Sequence, residues 1–152
     1  DLLRTLNEKG DSIGGIVSCS IKGVKAGMGE PVFNKLPAEL AAAMLSINGC
    51  KGFDYGSGFE GISKTGSQLN DQMPDHTNNA GGCLGGISNG QEIYFRCVFK
   101  PTSSIAMPQQ TITTEGEIVQ IKIKGRHDTC FALRTPVIVE SMAAIVIAQF
   151  VE

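Results

Sequence analysis

Three stretches of this sequence gather residue types that can do chemistry. The first is NNAGGCLGGISNGQ, residues 78–91, where Gly81, Gly82, Gly85, Gly86 and Gly90 strip side chains from a run of backbone. Amide N–H groups in such a run can closely approach the phosphate or carbonyl oxygens of a ligand. Its spacing matches neither a dinucleotide G-x-G-x-x-G nor a P-loop G-x-x-x-x-G-K-[ST], and a tight loop between packed elements would use glycine equally well. The second stretch, FKPTSSIAMPQ, sets Lys100, Pro101, Thr102, Ser103 and Ser104 directly after a strand-like run. One cation and three hydroxyls beside a proline-fixed backbone suit a phosphate or a ribityl chain, because each donates without needing a rigid fork; the plainer alternative is a Ser/Thr turn with a solvated lysine. The third is KGRHDTC, in which Arg126, His127 and Asp128 are consecutive. On an extended chain Arg126 and Asp128 share one face and His127 takes the other. The plainer reading is an exposed ion pair worth ~0.2–1 kcal/mol, with His127 hydrogen-bonded nearby.

The elements that must position these stretches are legible from periodicity. IGGIVSCSIKGV mixes β-branched residues with glycine as a half-buried strand does. LPAELAAAMLSIN puts Leu36, Leu40, Met44 and Ile47 at helical spacing, with Pro37 in the first turn and Gly49 as a C-terminal cap. From Gly52 to Gly90 the chain is dense in Gly, Asn, Ser and Asp, which predicts a functional, ligand-facing region. QEIYFRCVFK alternates, placing Ile93, Phe95, Cys97 and Phe99 on one face, and EIVQIKIK does the same with Val119, Ile121 and Ile123. Each predicts a strand with one wet face, which favours antiparallel pairing. The run beginning at Pro136 is apolar almost all round and predicts a deeply buried helix. Together these elements predict a single α+β domain over residues 1–152, with long helices packed on antiparallel sheet.

At 152 residues, 18% of them charged and with a net charge of -2, the chain can bury one sizeable core and has no global field to draw it to nucleic acid or an anionic membrane. Cys19, Cys50, Cys83, Cys97 and Cys130 are spread singly, which argues against a disulfide framework or a structural metal site and for a reducing cytoplasm. No apolar run reaches the ~18 residues of a spanning helix. The start, DLLRTLNEKGDSIGG, has no signal-peptide layout and reads as the tail of a helix, so a fragment or processed chain is expected.

Taken in order, AGGCLGGISNG, KPTSSI and KGRHD, together with GDSIGG, AGMGEPVFNKL and LSINGCKGFDYGSGF, resemble the chorismate synthase family, and the resemblance runs from Gly10 to Glu152. It implies one half of a β-α-β sandwich. It also implies part of a lyase that converts 5-enolpyruvylshikimate 3-phosphate to chorismate by 1,4-elimination of phosphate. That reaction requires reduced FMN, with NADPH or an external reductase as the source of electrons, and no net redox change. By the same resemblance Asn48, Gly49, Gly85, Lys100, Pro101, Thr102, Ser103, Ser104 and Arg126 contact the flavin, and Asp128 assists proton removal at flavin nitrogen 5.

The chain departs from the family pattern in several places. The G-x-S-H-G and R-S-S-x-R-E motifs of the family's N-terminal part, with their catalytic histidines and substrate arginines, are absent, so this chain by itself is expected to be inactive. Thr129 stands where proline commonly follows the aspartate, freeing a backbone N–H and loosening the loop, and His76 is expected to be a loop residue outside any catalytic motif. Two alternatives belong to other classes: an assembly or folding module that binds neither FMN nor substrate, and a phosphate-binding module of unrelated family. The family forms homotetramers, and a chain lacking its other half is expected to self-associate as a twofold dimer.

Overall fold

The computed structural model describes residues 1–72 and 77–151, so His76 lies outside the described residues. The described chain forms two compact units, one made of Asp1–Gly15 with Lys100–Leu133, the other of Ile16–Phe99 with Arg134–Glu152.

The larger unit is built on a three-stranded sheet in the order β1 (Gly15–Ile21), β5 (Ile93–Phe99), β2 (Cys50–Tyr55). The alternation read in QEIYFRCVFK is what puts β5 at the centre: Ile93, Phe95, Cys97 and Phe99 are each at most 1% exposed, while Tyr94, Arg96 and Val98 face the other way. β2 pairs antiparallel to β5 with Phe53 opposite Cys97 and Tyr55 opposite Phe95, after a bulge between Cys50 and Gly52. On the wetter face Arg96 lies between the carboxylates of Asp54 and Glu60.

Helix α2 (Leu36–Leu45) packs against β2 and against α5 (Pro136–Ala148), burying Leu36, Leu40 and Met44 as the helical spacing predicts. It is shorter than expected. The Ser46 amide donates back to Ala42, and turn bonds from Ile47 to Met44 and from Cys50 to Ile47 then carry the chain through Gly49, at φ +82°, into β2. Gly49 therefore turns the chain rather than capping the helix. The expectation of a deeply buried last helix is also corrected. In α5 one stripe, Val139, Ala143 and Val146, is buried, whereas Val137, Ile138 and Ile145 on the other side are exposed. A helix that is apolar all round needs cover on every side, and this chain covers one.

Between β2 and β5 the glycine-dense region makes two single-turn helices, α3 (Gly58–Gly61) and α4 (Gly66–Leu69), and then a small hairpin of β3 (Cys83–Leu84) and β4 (Ile87–Ser88).

The smaller unit begins with α1 (Leu2–Lys9), closed by Gly10 in the left-handed conformation. It also holds an antiparallel hairpin of β6 (Gln109–Ile112) and β7 (Ile118–Ile121), with Ile112 opposite Ile118. Here the expectation of a strand over residues 117–124 with one buried face is corrected: β7 is shorter, and every residue of both strands is exposed, Ile118 by 75%. Alternation licensed the strand, but in the smaller unit no third layer packs on either face of this two-stranded ladder.

Candidate functional site

In the smaller unit, Lys100 leaves the end of β5 and donates from Nζ to Ser103 Oγ at 2.6 Å, so the cation and one of the three hydroxyls already face each other. Behind them runs the segment Gly10–Gly15. Ser12 donates from Oγ to the Thr102 carbonyl at 2.6 Å, and the Ala106 amide donates to the Gly10 carbonyl at 3.0 Å. A Cβ on Gly10 would come within 2.9 Å of the Ala106 Cβ, so the two backbones meet closely there. One residue on from Ser12, the Ile13 amide donates to the Thr129 carbonyl at 2.8 Å. The segment 10–15 is thus a spine that ties Thr102 on one side to the residue after Asp128 on the other. Ser12, which carries this link, escaped the sequence reading as an individual residue. Its only signal was membership of the GDSIGG motif.

Thr129 uses the freedom that a proline would lack in a way the sequence did not suggest. Its Oγ1 donates to Asn7 Oδ1 on α1 at 3.2 Å, so the loop after Asp128 is anchored by a side chain instead of by a ring. His127 has Nε2 3.3 Å from the Ile123 carbonyl oxygen, while its Nδ1 is buried with no hydrogen-bond partner among the described residues. Thr102 Oγ1 is in the same condition, buried and without a partner. A buried hydroxyl left unmatched is costly and is uncommon away from places where something else completes it. Arg126 is exposed, and Asp128 is partly buried.

The larger unit carries the remaining residues singled out above. Asn48 is exposed in the turn that follows α2, next to Gly49. Gly85 and Gly86 are the two turn residues of the β3–β4 hairpin, with φ of +61° and +95°, the pair of positive values that a two-residue type I′ turn requires. Their roles differ. A Cβ on Gly86 would lie 2.4 Å from Lys35 Cγ, whereas a Cβ on Gly85 would meet no described atom within 4 Å. Gly86 is glycine for packing as well as for its turn; Gly85 presents open backbone. The approach to the hairpin is held by carboxylate and amide oxygens. Asp71 accepts from the amides of Asn79 and Ala80 at 2.6 and 2.9 Å, and Asn78 Oδ1 accepts from Gly82 at 2.8 Å. Burial acts to raise the Asp71 pKa, but hydrogen bonds from the Ala80 and Asn79 amides and from the Thr77 and Asn79 side chains together outweigh it and hold the carboxyl below its ordinary value.

Two of the cysteines, Cys83 and Cys97, are poor nucleophiles in this setting. Burial pushes the Cys97 thiol up to about 12 and the Cys83 thiol up to about 11. Among the described residues no three His, Cys, Asp or Glu side chains converge to hold a metal ion, and no helix is long and apolar enough to cross a membrane. A hollow of about 810 Å³ between the 21–30 loop and the end of α5 includes none of the candidate residues.

The Chorismate synthase family model matches residues 1–151. The chain is 55% identical over 148 residues to a chorismate synthase of Cytophaga hutchinsonii, covering 92% of this chain and 41% of that protein. To one from Christiangramia forsetii it is 51% identical over 152 residues, covering 97% and 43%. A crystal structure of chorismate synthase superposes with a TM-score of 0.78 at 28% identity, over 98% of this chain and 40% of that one. The chain thus spans about two-fifths of the length of these relatives. With the family model matched along almost its whole length and half of its residues shared with named relatives, the chain belongs to the chorismate synthase family.

Proposed function

We propose that this chain supplies the flavin-binding, C-terminal part of an enzyme that converts 5-enolpyruvylshikimate 3-phosphate to chorismate and phosphate by 1,4-elimination with reduced FMN. The observation that carries the reading is the Thr102 hydroxyl, buried and without a partner among the described residues, beside the Lys100–Ser103 pair. FMN offers acceptors to these donors in its phosphate and ring carbonyl oxygens. Lys100, Thr102, Ser103, Ser104 and Arg126 would hold it through cationic and hydroxyl donors. Pro101 would fix the backbone among them, and Asn48, Gly49 and Gly85 would contribute polar backbone unencumbered by side chains.

When bound, reduced FMN supplies the electron density that lets phosphate depart; NADPH or a separate reductase keeps it reduced. The chain's own part is to hold that charge and to move a proton. Asp128, followed by a residue anchored to Ile13 and Asn7, takes up the proton at its carboxylate. The substrate's histidine and arginine contacts come from the rest of the enzyme, and the complete protein is a homotetramer.

Two variants of a complete enzyme with this sequence separate binding from chemistry. Lys100→Ala should raise the dissociation constant for FMN roughly tenfold or more, as the loss of ~1.5–3 kcal/mol of charge-assisted hydrogen bonding implies. Asp128→Asn should leave that constant near its original value while lowering turnover by ~10²–10⁴-fold, the usual worth of a positioned base. Normal flavin binding by the lysine variant would remove the 100–104 segment from the site, and the chain would then be an assembly module. Near-normal turnover by the aspartate variant would remove Asp128 from the reaction.

A further inference from the structure

The β3–β4 hairpin has only two residue pairs, Cys83 with Ser88 and Leu84 with Ile87, which is too little to fix its own position in water. What fixes it is Ser88, 4% exposed, whose polar groups all reach the 25–28 loop. Its hydroxyl donates to the Lys25 carbonyl at 2.6 Å and accepts from the Met28 amide at 2.9 Å. Its own amide donates to the Met28 carbonyl at 2.8 Å, and its carbonyl accepts from Gly27 at 2.9 Å. Two further contacts extend the clamp to the turn. The Gly86 carbonyl accepts from the Leu36 amide at the start of α2 at 2.8 Å, and a Cβ on Gly29 would lie 2.5 Å from that same carbonyl oxygen. This gives the AGMGEPVFNKL stretch a job: Gly29 lets the loop lie against the Gly86 carbonyl, while Gly27 and Met28 bond Ser88 and Leu36 bonds Gly86.

We propose that Ser88 is a positioning residue, whose buried hydroxyl locks the Gly85–Gly86 turn to the 25–29 loop and thereby sets where the open backbone of Gly85 meets the flavin. This rests on the reading of Gly85 as a flavin contact. Ser88 itself touches no ligand. A Ser88→Ala change leaves the Met28 amide and the Lys25 carbonyl each short of a side-chain partner, so the turn is held less firmly, by its backbone bonds to Met28, Gly27 and Leu36 alone. Thermodynamic reciprocity then requires that bound flavin tighten the clamp, although no residue of the 25–28 loop is among the flavin contacts.

The test uses the complete enzyme and reads FMN affinity by fluorescence and amide protection by hydrogen exchange. Ser88→Ala should raise the FMN dissociation constant by roughly tenfold, about the worth of one buried hydrogen bond, with faster exchange at Gly27 and Met28, and Ser88→Thr should restore both. In the unmodified enzyme, adding FMN should slow exchange at those two amides, a measurement that needs no variant to fold. If FMN leaves their exchange unchanged, or if Ser88→Ala binds FMN normally while Gly85→Val does not, the positioning role is wrong. If Gly85→Val also binds FMN normally, the flavin contact at the turn is what fails.

Discussion

Single residues of this chain owe their properties to where the strands carry them, and the cysteines make this measurable. Cys97 lies on the buried face of the central strand, within hydrogen-bonding reach of Cys50, and Cys83 starts the small hairpin. Burial raises both thiols from 9.0, to about 12 and about 11. Below pH 9 folded and unfolded chains both hold these protons, so the two thiols contribute no slope. Between pH 9 and 12 the unfolded chain releases protons that the folded chain keeps, and stability must fall as pH rises. Melting temperature followed across that window should therefore decline. Replacing Cys97 by valine should flatten the decline; an unchanged slope would mean that other groups cause it. At pH 8 alkylating reagents should reach Cys19 and Cys130, which are partly exposed, before Cys83 and Cys97.

At the scale of elements, β5 and β7 carry the same alternating pattern and meet opposite fates. β5 has a strand on each side and a buried face; β7 has one partner and no packing layer in its unit. Truncation should report the difference. Phe95→Ala removes a ring 1% exposed and in contact with Phe53, and should destabilise the fold by ~3–5 kcal/mol, whereas Ile118→Ala should change it by within about 0.5 kcal/mol. Denaturant midpoints with an unchanged m-value would measure both. A large loss at Ile118 in this 152-residue chain would show that the β6–β7 hairpin is covered by something other than the elements of its own unit.

For the whole molecule, the apolar side chains that remain outside set the expectation. Val137, Ile138 and Ile145 on α5 and Leu45 on α2 are all exposed, as are Ile112 and Ile118 on the hairpin. The relatives are more than twice as long as the stretch they share with this chain, so in proteins of that length such surfaces have more chain available to cover them. Alone at micromolar concentration, the chain should self-associate, most simply as a twofold dimer. Sedimentation as a clean monomer would contradict this. Charged substitutions at Ile138 and Ile145 should dissociate the dimer if α5 forms the contact.

The sequence by itself determined the elements whose pattern is local: the helix from Leu36, the central strand with Ile93, Phe95, Cys97 and Phe99 inward, and the collinear motifs that mark the family. Periodicity and turn chemistry are properties of neighbouring residues, so they survive without a structure. Burial is not local, which is why α5 and β7 read as better covered than they are: hydrophobicity states what a face needs, and only the packed chain states what it finds. The same holds for the site. Lysine, hydroxyls and glycines could be read as donors, but the hydrogen bonds of Ser12 to Thr102 and of Ser88 to Lys25 and Met28 span 90, 63 and 60 residues. Serines that join distant loops carry no signature in the residues beside them, and tertiary structure alone decides which of them tie down the candidate segments of their own unit.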